Sequence, residues 1–165
     1  MDADCPIGGC TPPDPVANPP VGAVCNDGSL GDGCQSDVVC QDPLVCVEVL
    51  EIPGIITTTT CSECEVDADC GADLCAPVYA FPALGGHWEC VMPGSGPNGS
   101  GCSLVGSGDA SCTSGMCAEA DVMGLFSVGV CSDCEVDADC DAGDICENAQ
   151  VDFENGLIPA VCVTP

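Results

Sequence analysis

Cysteine spacing constrains this chain more than any other feature of its sequence. Residues 61–75 read CSECEVDADCGADLC and residues 131–146 read CSDCEVDADCDAGDIC, so one run of cysteines and acids occurs twice. The first three cysteines of the two runs are 70 residues apart in each case. A shortened copy, DADC, occupies residues 2–5. Repetition on this scale indicates a tandem array of similar units.

All 19 cysteines fall into five units of four positions, a to d, of which only the first unit is incomplete. Unit one has positions b to d, at Cys5, Cys10 and Cys25. Units two and three hold Cys34, Cys40, Cys46 and Cys61, then Cys64, Cys70, Cys75 and Cys90. Units four and five hold Cys102, Cys112, Cys117 and Cys131, then Cys134, Cys140, Cys146 and Cys162.

The joints between units alternate in length, which suggests that the units are grouped in pairs. Only two residues separate position d of units two and four from position a of the next unit, so these units must be rigidly docked. The other joints, residues 26–33 and 91–101, have the Gly, Ser, Pro and Asn content of loops or flexible linkers. We therefore expect a partial unit one at residues 1–25, paired units two and three at 34–90, and paired units four and five at 102–162.

Between positions c and d, each complete unit is predicted to form a β-hairpin. Runs of β-branched and aromatic residues on either side of a turn signal are typical of two paired strands. The turn signals of units two to five are Pro53-Gly54, residues 82–86, Gly124 and Asn155-Gly156. The predicted fold class is therefore small, disulfide-rich and mainly β: a tandem array of four-cysteine β-hairpin units with almost no helix.

A cysteine content this high is typical of a disulfide scaffold in an oxidising compartment, so we expect an extracellular or cell-surface protein. Four cysteines allow three pairings per unit, and spacing does not choose among them. We favour the interlaced pattern a–c with b–d, which joins the ends of each hairpin to the loop before it. The expected bonds are Cys5–Cys25, Cys34–Cys46, Cys40–Cys61, Cys64–Cys75, Cys70–Cys90, Cys102–Cys117, Cys112–Cys131, Cys134–Cys146 and Cys140–Cys162. Cys10 is then left over, and we expect it to be unpaired, to bridge to another molecule, or to indicate a longer chain.

Charge is the second unusual property of the sequence. The chain contains 27 acidic residues and neither lysine nor arginine, which gives a formal net charge of −27. Such a chain repels nucleic acid and anionic membrane surfaces. Its mean hydropathy is nevertheless positive, so disorder caused by low hydrophobicity is not expected. Because of the negative charge, we expect no nucleic-acid partner. No apolar run reaches the length of a membrane span, so we also expect no membrane insertion.

Two acidic clusters are the candidate metal sites, because alternating carboxylates place several oxygens on one side of a loop, as calcium requires. The residues are Glu65, Asp67 and Asp69 in unit three, and Glu135, Asp137, Asp139 and Asp141 in unit five. The second cluster begins like an EF-hand loop, but Ala142 replaces the glycine of the turn and Asn148 replaces the bidentate glutamate. The alternative is that the aspartates cap turns around the cysteines. Calcium is therefore one of two open interpretations, and we expect no other cofactor.

The sequence gives little support for other chemistry. The C-x-x-C joints have the spacing of a redox motif, but their acidic neighbours disfavour a thiolate, so a structural joint is expected. His87 is the single imidazole and lies beside Trp88 on a predicted strand, where packing is the commoner role. We therefore expect no catalytic residue and no enzymatic activity. Asn98-Gly99-Ser100 fits a glycosylation acceptor.

The D-A-D-C element is followed by a second cysteine after four to five intervening residues and by a third about 15 residues further on. This pattern resembles the cysteine-rich tandem modules of large bacterial surface and secreted proteins. It is also distantly similar to the N-terminal cysteine-rich region of Dickkopf-type secreted proteins. D-A-D-C itself occurs in units one, three and five, whereas unit two has Asp37 at an offset position and unit four has a longer a–b gap. The resemblance implies disulfide modules outside the cell and no specific activity.

Three functional hypotheses remain from these observations. The favoured one is a structural subunit of a durable extracellular filament, tube or sheath, a homopolymer whose hairpin edges pair between molecules. The alternative is a calcium-dependent adhesin or binding ectodomain. The third, an oxidoreductase that uses the C-x-x-C joints, requires free thiols at those joints.

Overall fold

A computed structural model describes residue 5 and residues 9–11, 24–52, 56–81 and 84–165. In these residues, helix is confined to α1 (Gly108–Ser111) and to 3-10 turns at Asp37–Val39, Asp67–Cys70 and Asp137–Asp139. No helix in this part of the chain is long and apolar enough to span a bilayer. The predicted fold class is confirmed: the protein is small, disulfide-rich and mainly β, with almost no helix.

Each unit contributes an antiparallel hairpin in which cysteines c and d face each other across the ladder. The strands of units one to three are β1 (Cys10–Thr11), β2 (Val24–Cys25), β3 (Val45–Ile52), β4 (Ile56–Ser62), β5 (Leu74–Ala80) and β6 (Gly85–Val91). Those of units four and five are β7 (Gly101–Cys102), β8 (Cys117–Val122), β9 (Phe126–Cys131), β10 (Ile145–Glu147), β11 (Gln150–Asp152), β12 (Gly156–Ile158) and β13 (Val161–Val163). The described sheets are β1–β2, β3–β4, β5–β6, β7–β9–β8, β10–β13 and β11–β12.

The unit-five hairpin turns earlier than its Asn-Gly signal predicts. Asp152 pairs with Gly156, so the loop has three residues, 153–155. The Asp152 carboxylate accepts hydrogen bonds of 2.8 Å from the amides of Asn155 and Glu154, and these bonds lower its pKa. Gly156 has a φ of 90°, a conformation that favours glycine. The aspartate cap therefore replaces the expected two-residue turn.

Three sequence expectations fall wholly or partly outside the described residues. They are the Pro53-Gly54 turn, most of the first D-A-D-C copy at residues 2–5, and residues 82–83 of the unit-three turn. These expectations stay predictions.

The apolar core is shared by units two to five. Its buried members are Val49, Leu50, Ala118, Ala120, Val122, Val128, Val130, Cys134, Ala149 and Ala160. Aromatic rings of unit three pack against this core, and the Phe81 ring lies 5.8 Å from that of Phe153 in unit five, in an edge-to-face arrangement. The Trp88 indole donates a hydrogen bond of 3.0 Å to the Glu48 carbonyl of unit two. The four complete units therefore pack on one another, because no single unit is large enough to enclose a core.

The two segments predicted as flexible linkers are hydrogen-bonded to the units that follow them. Residues 31–32 exchange two backbone hydrogen bonds of 2.8 Å with Cys61. Residues 99–100 exchange two of 2.8 Å with Cys131, one repeat later. In both cases the segment lies along the outer edge of the strand that ends at position d. These residues have the composition of a linker, but they act as part of units two and four.

Candidate functional site

Nine disulfides join the cysteines of the five units in the interlaced pattern. The bonds are Cys5–Cys25, Cys34–Cys46, Cys40–Cys61, Cys64–Cys75, Cys70–Cys90, Cys102–Cys117, Cys112–Cys131, Cys134–Cys146 and Cys140–Cys162. In each complete unit, three sulfurs from its two bonds lie within 4.8 Å of one another. Since all of these sulfurs are bonded to other sulfurs, the groups offer no thiolate to a metal ion. In unit one the Cys10 sulfur lies 3.7 Å from that of Cys5.

Each repeated C-S-x-C joint is closed by two different disulfides. In the joint between units two and three, Cys61 is bonded to Cys40 and Cys64 is bonded to Cys75. The joint cysteines are fully buried, and the same holds for the joint between units four and five. A redox C-x-x-C motif forms its disulfide within the motif. The observed bonds instead join Cys61 to the loop before its own hairpin, and Cys64 to the hairpin that follows the joint.

A buried serine, which cysteine spacing alone does not highlight, connects the two units at each joint. The Ser62 hydroxyl donates to the Thr60 carbonyl at 3.2 Å and accepts from the Trp88 amide at 3.0 Å. Ser132 makes the equivalent bonds, to a carbonyl of β9 and from the Ala160 amide, both at 2.9 Å. A hydroxyl can donate and accept at once, which alanine cannot do. The signal in the sequence is the serine at the same place in both joints.

In all four complete units, an aspartate three residues before position b accepts a hydrogen bond from the amide of position c. The acceptors and distances are Asp37 at 2.8 Å, Asp67 at 2.9 Å, Asp109 at 3.0 Å and Asp137 at 2.9 Å. The expectation that Asp37 is offset was therefore wrong. Asp37 lies three residues after position a and three before position b, as Asp67 and Asp137 do, and of the two aspartates of D-A-D-C only the second is replaced, by Val39. In unit four the longer a–b gap places Asp109 seven residues after position a, which conceals the cap.

In the D-A-D-C copies of units three and five, the last aspartate caps the turn that precedes it. Asp69 accepts hydrogen bonds of 3.0 and 3.1 Å from the amides of residues 65–66. Asp139 accepts bonds of 2.9 and 3.0 Å from the amides of residues 135–136. Because these amides stabilise the charged form, they lower the pKa of both carboxyls.

One carboxylate of the first acidic cluster also reaches the next unit. The Ser107 hydroxyl donates a hydrogen bond to Asp67, and this bond, followed by that from the Cys75 amide, lowers the Asp67 pKa. Among the other candidate calcium ligands, Glu135 accepts a bond of 3.3 Å from the Cys117 amide, while Glu65 and Asp141 are exposed. The acids thus bind backbone amides in several directions, as turn caps do. Calcium binding stays a prediction.

The remaining candidate residues lie at the surface. Asn98 is exposed and its side-chain nitrogen donates to the Asp133 carboxylate at 2.5 Å. His87 lies on β6, where its Nε2 is 3.7 Å from the Glu89 carboxylate. Glycosylation at Asn98 stays a prediction, because the surroundings of this side chain are those of an ordinary surface turn.

A cleft of about 370 Å³ lies between the β5–β6 hairpin and residues 95–101. Its lining includes Ala76, Val78 and Val91, the Glu89 carboxylate, and the Tyr79 ring. Burial raises the Tyr79 pKa to about 12, so the phenol stays neutral. The sequence does not reveal this cleft, because its two walls come from different units.

The disulfides, the buried joint serines and the aspartate caps all hold the backbone of this protein in place. The chain matches no family model, no curated protein and no solved structure. The resemblance to D-A-D-C modules therefore stays a prediction, and the functional conclusion depends on the geometry of the joints, the disulfides and the caps.

Proposed function

We propose that this chain is a structural subunit of a durable extracellular filament, tube or sheath. The observation that carries the proposal is the repeated joint, in which Ser62 and Ser132 and the flanking disulfides fix one unit against the next. The same joint occurs in both pairs, and the core continues across all four complete units. A chain built this way holds a constant shape, which a subunit of a durable filament, tube or sheath requires.

The disulfides support durability. Each closes a loop of between 11 and 22 residues and contributes about 2–4 kcal/mol to stability under oxidising conditions. Nine such bonds are typical of proteins in oxidising, extracellular compartments. The absence of lysine and arginine from the sequence also removes every cleavage site for trypsin-like proteases. Both properties favour a long-lived protein outside the cell.

Strand edges would supply the contacts through which copies join. Five of the six described sheets have only two strands, and those strand edges that no other segment covers, as residues 31–32 cover β4, present backbone donors and acceptors. Pairing of such edges between molecules is a common mode of assembly. The charge of −27 opposes it, because like-charged copies repel one another. Assembly is therefore expected only when salt or dissolved cations screen the carboxylates.

Electron microscopy tests this proposal directly. The oxidised full chain is imaged at low salt and at salt concentrations near and above about 0.15 M, where charges are screened beyond roughly 8 Å. Regular polymers at the higher concentrations are expected. The matched control is the same chain after reduction and thiol blocking, which should form none. Dispersed particles at every salt concentration would contradict the proposal.

The calcium-dependent adhesin is the alternative, and calorimetry separates the two. A calcium-binding protein is stabilised by its ligand and loses that stability when a chelator is added. Because the aspartates already bind backbone amides, the structural proposal expects magnesium and calcium to raise the melting temperature equally, as screening cations. A rise specific to calcium, abolished by Asp139→Asn, would favour the adhesin.

A further inference from the structure

The cleft between β5–β6 and residues 95–101 is lined by aliphatic residues, several hydroxyl groups and one charged residue. Ala76, Val78 and Val91 supply aliphatic surface, and Glu89 is the one acidic group among the described residues that line the cleft. The hydroxyls of Ser95 and Ser111 donate to carbonyls of their own loops, each at 2.7 Å. These two hydroxyls can therefore only accept from a ligand, as the Glu89 carboxylate does, whereas the hydroxyls of Ser100 and Tyr79 in the same lining can also donate.

A group that fits such a cleft carries an aliphatic stem and a positively charged donor at its end. Lysine and arginine side chains have this form, since they bury their methylene groups on apolar surface while the charged end meets an acceptor. The volume of about 370 Å³ lies near the lower limit for ligand sites, which suits a side chain better than a large ligand. The field of the whole chain, at −27, attracts cations towards it.

We propose that this cleft binds a lysine or arginine side chain of a basic partner protein. A second copy of the chain does not provide the occupant, because the sequence contains neither residue. The Glu89 carboxylate, which is 40% exposed and lies 3.7 Å from His87 Nε2, pairs with the charged end. Ala76, Val78 and Val91 receive the stem. The site thus gives a chain that repels its own copies a specific attachment point for a partner of opposite charge.

Nuclear magnetic resonance of the ¹⁵N-labelled, oxidised full chain tests the proposal, with acetyl-Gly-Arg-Gly-amide as the probe. The expected amide shifts concentrate in residues 76–79, 89–91 and 95–101. Replacing arginine by citrulline, which keeps the shape and removes the charge, should abolish them. Glu89→Gln should weaken binding at least about tenfold, as expected for loss of a charged hydrogen-bond partner.

Glu119→Gln is the matched control, because it removes the same charge from an exposed position on β8, outside the cleft. It should change the dissociation constant less than about twofold, since distant surface charges are screened by salt. Three results would each overturn the proposal: equal weakening by both variants, equal binding of the citrulline peptide, or no shift at millimolar peptide.

Discussion

Units three and five carry nearly the same joint sequence, yet their surroundings differ. In both units, the joint serine accepts a hydrogen bond from a backbone amide. The two aspartates of the D-A-D-C copy also cap the same backbone positions in both units. In unit three, Ser107 of the segment that leads into α1 donates a hydrogen bond to Asp67, and α1 lies against β5. Leu74 is half-buried there, whereas the equivalent Ile145 of unit five is 43% exposed.

The same difference continues along the strand. Ala76 and Pro77 are buried in unit three, whereas Glu147 and Asn148 occupy the equivalent positions in unit five and are exposed. Local sequence therefore determines the caps and the joint, because those bonds lie within one unit and its immediate neighbour. The burial of a strand residue depends instead on which unit packs alongside it. Apolar residues occur at the buried positions and polar residues at the exposed ones. The outer face of unit five is polar where unit three is apolar.

Removing one disulfide from each unit should give the largest effect. The variants are Cys64→Ala with Cys75→Ala in unit three, and Cys134→Ala with Cys146→Ala in unit five. The loops they close are similar, at 11 and 12 residues, so loop entropy alone predicts equal losses. We expect about 2–5 kcal/mol in each case, and more in unit three because Cys75 is buried whereas the equivalent Cys146 is partly exposed. Denaturant unfolding measures both; a larger loss in unit five would contradict the role assigned to the neighbour.

Alanine at the two joint serines should have similar effects in both units. Ser62→Ala and Ser132→Ala each leave a buried amide, of Trp88 or Ala160, without its acceptor. The expected cost is about 1–3 kcal/mol in the free energy of unfolding. Ser114→Ala, at an exposed turn, is the control and should cost less than about 0.5 kcal/mol. Costs that differ strongly between the two serines would show that the joints are not equivalent.

The next comparison tests burial on its own. Leu74→Ala removes a half-buried side chain and should cost about 1–2 kcal/mol, as the area it buries predicts. Ile145→Ala removes its more exposed equivalent and should cost less than about 1 kcal/mol. Thermal unfolding of the two variants side by side measures the difference. Equal costs would mean that the segment before α1 does not protect unit three.

The smallest expected effect concerns the Ser107 contact. Because hydrogen bonds lower the Asp67 pKa, its contribution to stability is present above the unfolded pKa and is lost as the pH falls through the folded pKa. Ser107→Ala removes the largest cause, so the Asp67 pKa should rise towards the ordinary value of an aspartate. The Asp69 pKa, which depends on the amides of residues 65–66, should not change. Carboxyl chemical shifts between pH 2 and 6 report both; an unchanged Asp67 would rule out the contact.

The local features of this fold could be predicted from the sequence, whereas contacts between distant segments could not. Runs of β-branched residues between cysteines c and d predict the hairpins, because strand pairing across a short loop depends on neighbouring residues. The Gly, Ser, Pro and Asn content of residues 26–33 and 91–101 predicts loops or linkers. The neighbouring sequence does not reveal their hydrogen bonds to Cys61 and Cys131, because these partners lie about 30 residues away. The shared core was not predicted, since it requires knowing how hairpins pack. The cap at Asp109 was missed because a longer loop precedes it.

The central claim is that the repeated C-S-x-C segment is a structural joint, and disulfide mapping tests it most directly. The oxidised chain is cut with proteases that cleave at acidic or apolar residues, without reduction, and the linked peptides are identified by mass spectrometry. If the joint is structural, Cys61 is linked to Cys40 and Cys64 is linked to Cys75. The second joint shows the equivalent links, of Cys131 to Cys112 and of Cys134 to Cys146. A link between Cys61 and Cys64, or free thiols at both, would contradict the claim.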